Sequence, residues 1–181
     1  MNFGFIEIIK SKVRGTFNLH RLIKDGLKVG SNFDAMYDVI IDPGHCWLIE
    51  IGDNVTLAPR VHILAHDASM KKETGYTRIA KVKIGNNVFI GAGSIILPGV
   101  EICDNVVIGA GSIVTKKIEV GGVYVGNPAR LIMPYEEWID KIIGQENKYY
   151  KFNEGYQIGN ITDEKKEEMK KMLTDSIGFI V

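Results

Sequence analysis

From Ile84 to Val120 the apolar positions recur every sixth residue. Ile84, Ile90, Ile96, Ile102, Ile108, Val114 and Val120 come first in successive sixes, and Val88, Ser94, Val100, Val106, Ser112 and Ile118 come fifth. A branched aliphatic first and a small or β-branched residue fifth, without a break, predict a mainly β fold, a parallel β-helix. Each six supplies a short strand and a corner, and three sixes make one triangular coil with the aliphatics inside. Gly, Asn and Asp fall at the corners, because they adopt left-handed backbone angles cheaply. Ordinary strands of a sandwich or barrel would need longer runs with alternating polar faces.

The same frame runs upstream through Ile51, Leu57 and Ile63, and before that through Val29 and Ala35, with Phe33 and Val39 fifth. It slips once. Ile41 and Ile51 stand ten residues apart, which is no multiple of six, and Asp42-Pro43-Gly44 is a turn signal at the slip. It vanishes once, over the polar stretch from Asp67 to Lys81, and resumes at Val82 and Ile84. A long insertion in a compact solenoid is more often functional than accidental.

The ends break the period. Residues 1–28 space Phe5, Ile8, Ile9, Val13, Leu19, Leu22, Ile23 and Leu27 by threes and fours, which predicts a helical cap over the first coil. Residues 29–133 are the coil domain, with its loop at 67–81. Residues 134–181 form a helical C-terminal extension, with helix starts near Pro134 and Thr162 and an irregular aromatic stretch over 144–161. Glu167 and Lys171 are expected to pair on the last helix. The extension packs on a coil face or on a neighbouring subunit.

Composition narrows the classes. Apolar residues make up 45%, enough for a core, and 22 basic residues balance 22 acidic ones. A neutral chain lacks the basic surplus of a nucleic-acid binder. Cys46 and Cys103 have no metal-ligand spacing and read as free thiols of a reducing compartment. Glu7, Lys10 and Lys12 interrupt the first apolar stretch, so neither a signal peptide nor a membrane span is expected there. The expectation is a soluble, cytoplasmic protein.

Of the four histidines, His20 lies in the helical lead and His62 on an outward coil edge. His66 ends a coil and opens the long loop, in Leu64-Ala65-His66-Asp67-Ala68-Ser69. An imidazole at the mouth of a loop can take a proton from a hydroxyl, which is general-base work. Small residues at Ala92, Gly93, Ala110 and Gly111 would let a thin ligand approach the backbone, and Lys116, Lys117 and Arg130 gather cations toward the last coils.

These repeats, the histidine at the loop mouth, Ile108-Gly-Ala-Gly-Ser-Ile-Val-Thr-Lys-Lys and Gly126-Asn-Pro-Ala-Arg together resemble the hexapeptide-repeat acyltransferases. The narrower likeness, over residues 29–133, is to the galactoside and maltose O-acetyltransferase branch and to the sugar O-acetyltransferases of bacterial surface-polysaccharide clusters. The resemblance implies a left-handed parallel β-helix, a homotrimer with sites between subunits, and acetyl-CoA as donor without a metal. It implies that His66 is the general base on the acceptor hydroxyl, with a coil N–H stabilising the oxyanion. Along CoA it implies Phe89, Ala92, Ala110, Thr115, Lys116 and Arg130.

The acceptor end departs from the family. Met36 stands where the galactoside branch carries a sugar-binding asparagine, and Met133 where it carries a second CoA arginine. No sugar-binding residue is carried over; His45 and Asp34 stand as alternatives. A sugar hydroxyl on a saccharide or polysaccharide precursor is the expected acceptor, with an amino-sugar nitrogen or an antibiotic as other choices. The rival activity is a zinc hydratase resembling γ-class carbonic anhydrases, using His62 and His66 with His45 across an interface. A non-catalytic stalk is the third reading.

Overall fold

The computed structural model describes residues 18–181. The helical lead expected before residue 18 lies outside the described residues. Within them a short helix, Leu19–Lys24, is capped by the Asn18 side chain on the Arg21 N–H at 3.0 Å. Leu22 and Leu27 join the buried core.

The chain then coils through three sheets. Face 1 stacks Lys28–Val29, Ile49–Ile51, Val82–Ile84 and Glu101–Ile102. Face 2 stacks Asp34–Ala35, Thr56–Leu57, Val88–Ile90, Val106–Ile108 and Gly122–Val125, and ends on the antiparallel strand Arg130–Pro134. Face 3 stacks Ile40–Ile41, His62–Ile63, Ile95–Ile96 and Ile113–Val114. Pairing between coils is parallel throughout, so this is the β-helix that the period predicts. Ile63, Ile90, Ile96 and Ile108 are fully buried, as the first positions of the frame require.

Asparagine holds one corner. Asn32, Asn54, Asn87 and Asn105 all have positive φ, between 54° and 59°. The first three amides each donate a hydrogen bond to the asparagine of the next coil, at 2.9, 3.0 and 3.1 Å. Asparagine fits because its short side chain tolerates the left-handed region and can bond locally. The partners are 22, 33 and 18 residues apart. The 18 is one regular coil. The 22 is a coil carrying the register slip, and the 33 a coil carrying the long loop. Buried Ser94 and Ser112 make a second ladder: the Ser94 hydroxyl donates to the Gly109 carbonyl at 3.0 Å, and the Ser112 hydroxyl accepts from the Gly126 N–H at 3.0 Å. Coils approach closely at Gly91, where a Cβ would lie 2.5 Å from the Ala110 nitrogen.

The frame stops earlier than the sequence suggests. Val120 is exposed, not inward. The last coil is shorter than the others, since Ile108 pairs with Tyr124, and Tyr124 fills the end of the prism with its hydroxyl on the Val120 carbonyl at 2.8 Å.

The chain divides into two compact units, the second being Glu136–Val181. The helix Tyr135–Glu146 leads into it, and the helix Asp163–Met172 is capped by Thr162. The aromatic stretch is not irregular: Tyr150–Phe152 pairs in parallel with Gly178–Ile180 and buries Phe152. Glu167 pairs with Lys170 at 2.6 Å, one residue short of the expected Lys171.

Candidate active site

The slip at Ile41–Ile51 builds the site. Ile41, Ile63, Ile96 and Val114 form one inward column of face 3. The next residues, Asp42, Leu64, Leu97 and Thr115, therefore stack at the corner between face 3 and face 1. The first three hold that register by donating N–H bonds to the coil above, at 2.9, 3.0 and 3.1 Å. In the first coil the extra residues make a turn at Asp42–His45 and a 3-10 turn at Cys46–Leu48 before face 1 resumes. Cys46 is buried there.

Asp42 is 1% exposed. Its Oδ1 accepts the Gly44 N–H at 3.0 Å and its Oδ2 the Ala65 N–H at 3.0 Å. The same Oδ2 meets Nδ1 of His66 in a short hydrogen bond. Burial pushes the carboxyl up, but the bonds from His66, Ala65 and Gly44 outweigh it and hold Asp42 below its ordinary value. An ionised carboxylate can only accept, so a neutral His66 ring facing it carries its proton on Nδ1 and its lone pair on Nε2. A buried carboxylate hydrogen-bonded to a half-exposed imidazole is an arrangement that can accept a proton at the far ring nitrogen. Sequence reasoning treated Asp42 only as a turn residue. The signal is in the frame: an acid directly follows inward Ile41, where the other coils place Leu64 and Leu97, and the slip begins there.

His66 opens the long loop as the strand His66–Asp67, paired antiparallel with Arg78–Ile79. Between them lies the short helix Lys71–Thr74. A cleft of about 320 Å³ runs beside His66, walled by Leu64, Leu97, Thr115, Asp67 and Arg78. Of the CoA residues that the resemblance implies, Thr115 alone lines this cleft. Ala92 and Ala110 stack at the other edge of face 3, where the Gly111 N–H donates to the Ala92 carbonyl at 2.8 Å. Phe89 is exposed on face 2 beside Thr56 and Val107. Lys116 is exposed, and Arg130, also exposed, donates to the Ala129 carbonyl at 2.9 Å. Lys117 leaves the expected cationic group, because Glu101 and Glu119 engage it at 3.4 and 3.2 Å on face 1.

The two alternatives for the acceptor end separate. Asp34 lies on face 2, paired with Thr56. His45 lies against the site, its ring centroid 5.1 Å from that of His66 and its Nδ1 3.8 Å from Asp42 Oδ1. That nitrogen is buried without a hydrogen-bond partner. Among the described residues, Asp42, His45 and His66 offer ligand atoms within 4.8 Å of one another, a set that can hold a divalent cation. It differs from the three histidines of the hydratase reading. His45 and His66 meet within one chain, while His62 sits out on face 3 between Ile40 and Ile95.

The chain is similar to known proteins over its coils. Residues 81–116 match the bacterial transferase hexapeptide family (six repeats). Protein CapG of Staphylococcus aureus is 43% identical over 111 residues, covering 59% of this chain and 64% of that protein. The galactoside O-acetyltransferase of Escherichia coli (strain K12) is 38% identical over 135 residues, covering 71% of this chain and 60% of that protein. The chain thus spans less than two thirds of these relatives' length. The crystal structure of a maltose O-acetyltransferase from Clostridium difficile 630 superposes with a TM-score of 0.54 at 50% identity, covering 62% of this chain and 60% of that one. These likenesses imply the left-handed form of the β-helix. Over its coils the chain is similar to the hexapeptide-repeat transferases.

Proposed function

We propose that this protein is an acetyl-CoA-dependent O-acetyltransferase that acts on a sugar hydroxyl of a saccharide or surface-polysaccharide precursor. The pairing of the buried Asp42 carboxylate with the half-exposed His66 imidazole at the mouth of the cleft carries the reading. Nε2 of His66 takes the proton of the acceptor hydroxyl as its oxygen attacks the thioester carbonyl. The tetrahedral intermediate collapses, the C–S bond breaks and CoA leaves as the thiolate, which His66 then protonates. The relatives whose names specify galactoside and maltose acetylation support a sugar acceptor.

The donor residues are Phe89, Ala92, Ala110, Thr115, Lys116 and Arg130. One corner supports this. Asp38, Arg60, Gly93 and Gly111 share it, all at positive φ. Two of them carry side chains, so the backbone alone does not demand glycine at 93 and 111. A Cβ at either glycine would meet nothing within 4 Å, which leaves the backbone beside Ala92 and Ala110 open to a pantetheine arm.

Within one chain these alanines and His66 stand at opposite edges of face 3, so a complete site takes a second copy. Face 3 supports that assembly, as a homotrimer: its outward column is Ile40, His62, Ile95 and Ile113, with Ile40 43% exposed. Face 1, by contrast, presents Lys28, Glu50, Lys83 and Glu101 in alternating charge.

Thermal unfolding with acetyl-CoA tests the donor, since a ligand of the folded state must raise the midpoint. A rise that shrinks in Lys116→Ala and Arg130→Ala is expected. No rise in folded protein would remove acetyl-CoA from the reading.

A further inference from the structure

The family likeness leaves the acceptor end unassigned, and the register slip places an aromatic row there. Trp47 sits in the 3-10 turn Cys46–Leu48, at the corner that also carries Asp42. Its ring centroid is 5.4 Å from that of His45, and His45 is 5.1 Å from His66. Exposure is lowest in the middle of the row and highest at its outer end: the His45 side chain is 28% exposed, that of His66 40%, and Trp47 54%. The base of Trp47 is fixed. Gly26, at φ +108°, lies so close that a Cβ there would come within 2.8 Å of the Trp47 Cβ. An anchored backbone with an uncovered indole two ring spacings from a general base is built to receive a flat, partly apolar ligand.

We propose that Trp47 is the platform on which the pyranose ring of the acceptor stacks, with His45 setting its distance from His66. One face of a pyranose presents C–H groups, and the electron-rich face of an indole attracts them while both surfaces leave water. The rim of hydroxyls then points past His45 to Nε2 of His66. The inference rests on the O-acetyltransferase reading and extends it: the acceptor is a cyclic sugar, selected for its ring before its hydroxyls. Acyclic polyols have the hydroxyls without the stacking face.

Steady-state kinetics on the full chain test this, with methyl glycosides of glucose, galactose and N-acetylglucosamine, their disaccharides, and the open-chain hexitols as acceptors. Trp47→Ala keeps the Cβ that packs on Gly26. It is expected to raise the KM for pyranosides about tenfold or more and to leave the KM for acetyl-CoA in place. It also erases the preference for rings over hexitols, and Trp47→Phe restores most of both. An unchanged acceptor KM, or equal rises for acceptor and donor, overturns the platform while the transferase reading stands. Wild-type protein that acetylates none of these acceptors overturns the sugar-acetyltransferase reading and the platform with it.

Discussion

Asp42 decides what His66 can do. Its carboxylate is buried and takes two backbone N–H groups besides the imidazole. Asp42→Asn keeps the shape but offers an N–H where an acceptor is needed, which turns His66 to the wrong tautomer. Turnover is expected to fall about 10²- to 10⁴-fold with the fold retained, measured by acetyl transfer and circular dichroism. The same residue links stability to acid. Its folded pKa lies below the ordinary 3.8. The stabilisation is therefore complete above the unfolded value and is lost as the pH drops from there through the folded one. Denaturant midpoints between pH 5 and pH 2 are expected to fall more steeply for wild type than for Asp42→Asn; parallel curves would contradict the linkage.

The corner ladders carry the register of the coils. Asn87 has a φ of 55° and bonds to Asn54 and Asn105. Asn87→Ala loses these bonds, about 1 kcal/mol each, and adds about 1–2 kcal/mol of left-handed strain. Asn87→Gly loses the bonds without the strain, so urea denaturation is expected to rank wild type above Gly above Ala. The six-residue period made this much legible, because an inward aliphatic column and its polar corner repeat in every coil. What stayed hidden sits where the repeat breaks. Asp42 keeps the regular position after Ile41, where other coils carry half-buried Leu64 and Leu97, and it is buried where the extra turn of the slip follows it. Val120 kept the phase of the period but faces solvent, because the last coil is short. His66 was legible from its place at the loop mouth; its partnership with Asp42 and its nearness to His45 were not, since coil stacking joins residues 24 apart. Likewise Tyr150–Phe152 pairs with a strand at the far end of its unit, which no local pattern announces.

At the scale of the whole molecule, no helix among the described residues is long and apolar enough to cross a membrane. The outer surfaces of the prism differ in kind. Face 1 is a charged ladder, with Lys28 on Glu50 at 2.6 Å, and exposed pairs of this sort add at most about 1 kcal/mol. Face 3 presents Ile40, Ile95 and Ile113 beside His62, and is the surface that the proposed trimer would cover. Ile95→Glu together with Ile113→Glu is expected to convert a sedimenting trimer into monomers, and activity is expected to fall with it because Ala92 and Ala110 then lose the neighbouring His66. A monomeric wild type of full activity would contradict that assembly. The proposed base is tested most directly by acetyl transfer from acetyl-CoA to a sugar acceptor, measured for wild type and His66→Ala. A loss of about 10²-fold or more is expected, with acetyl-CoA still raising the unfolding midpoint of the variant. Wild-type turnover by a folded His66→Ala protein would remove His66 from the chemistry.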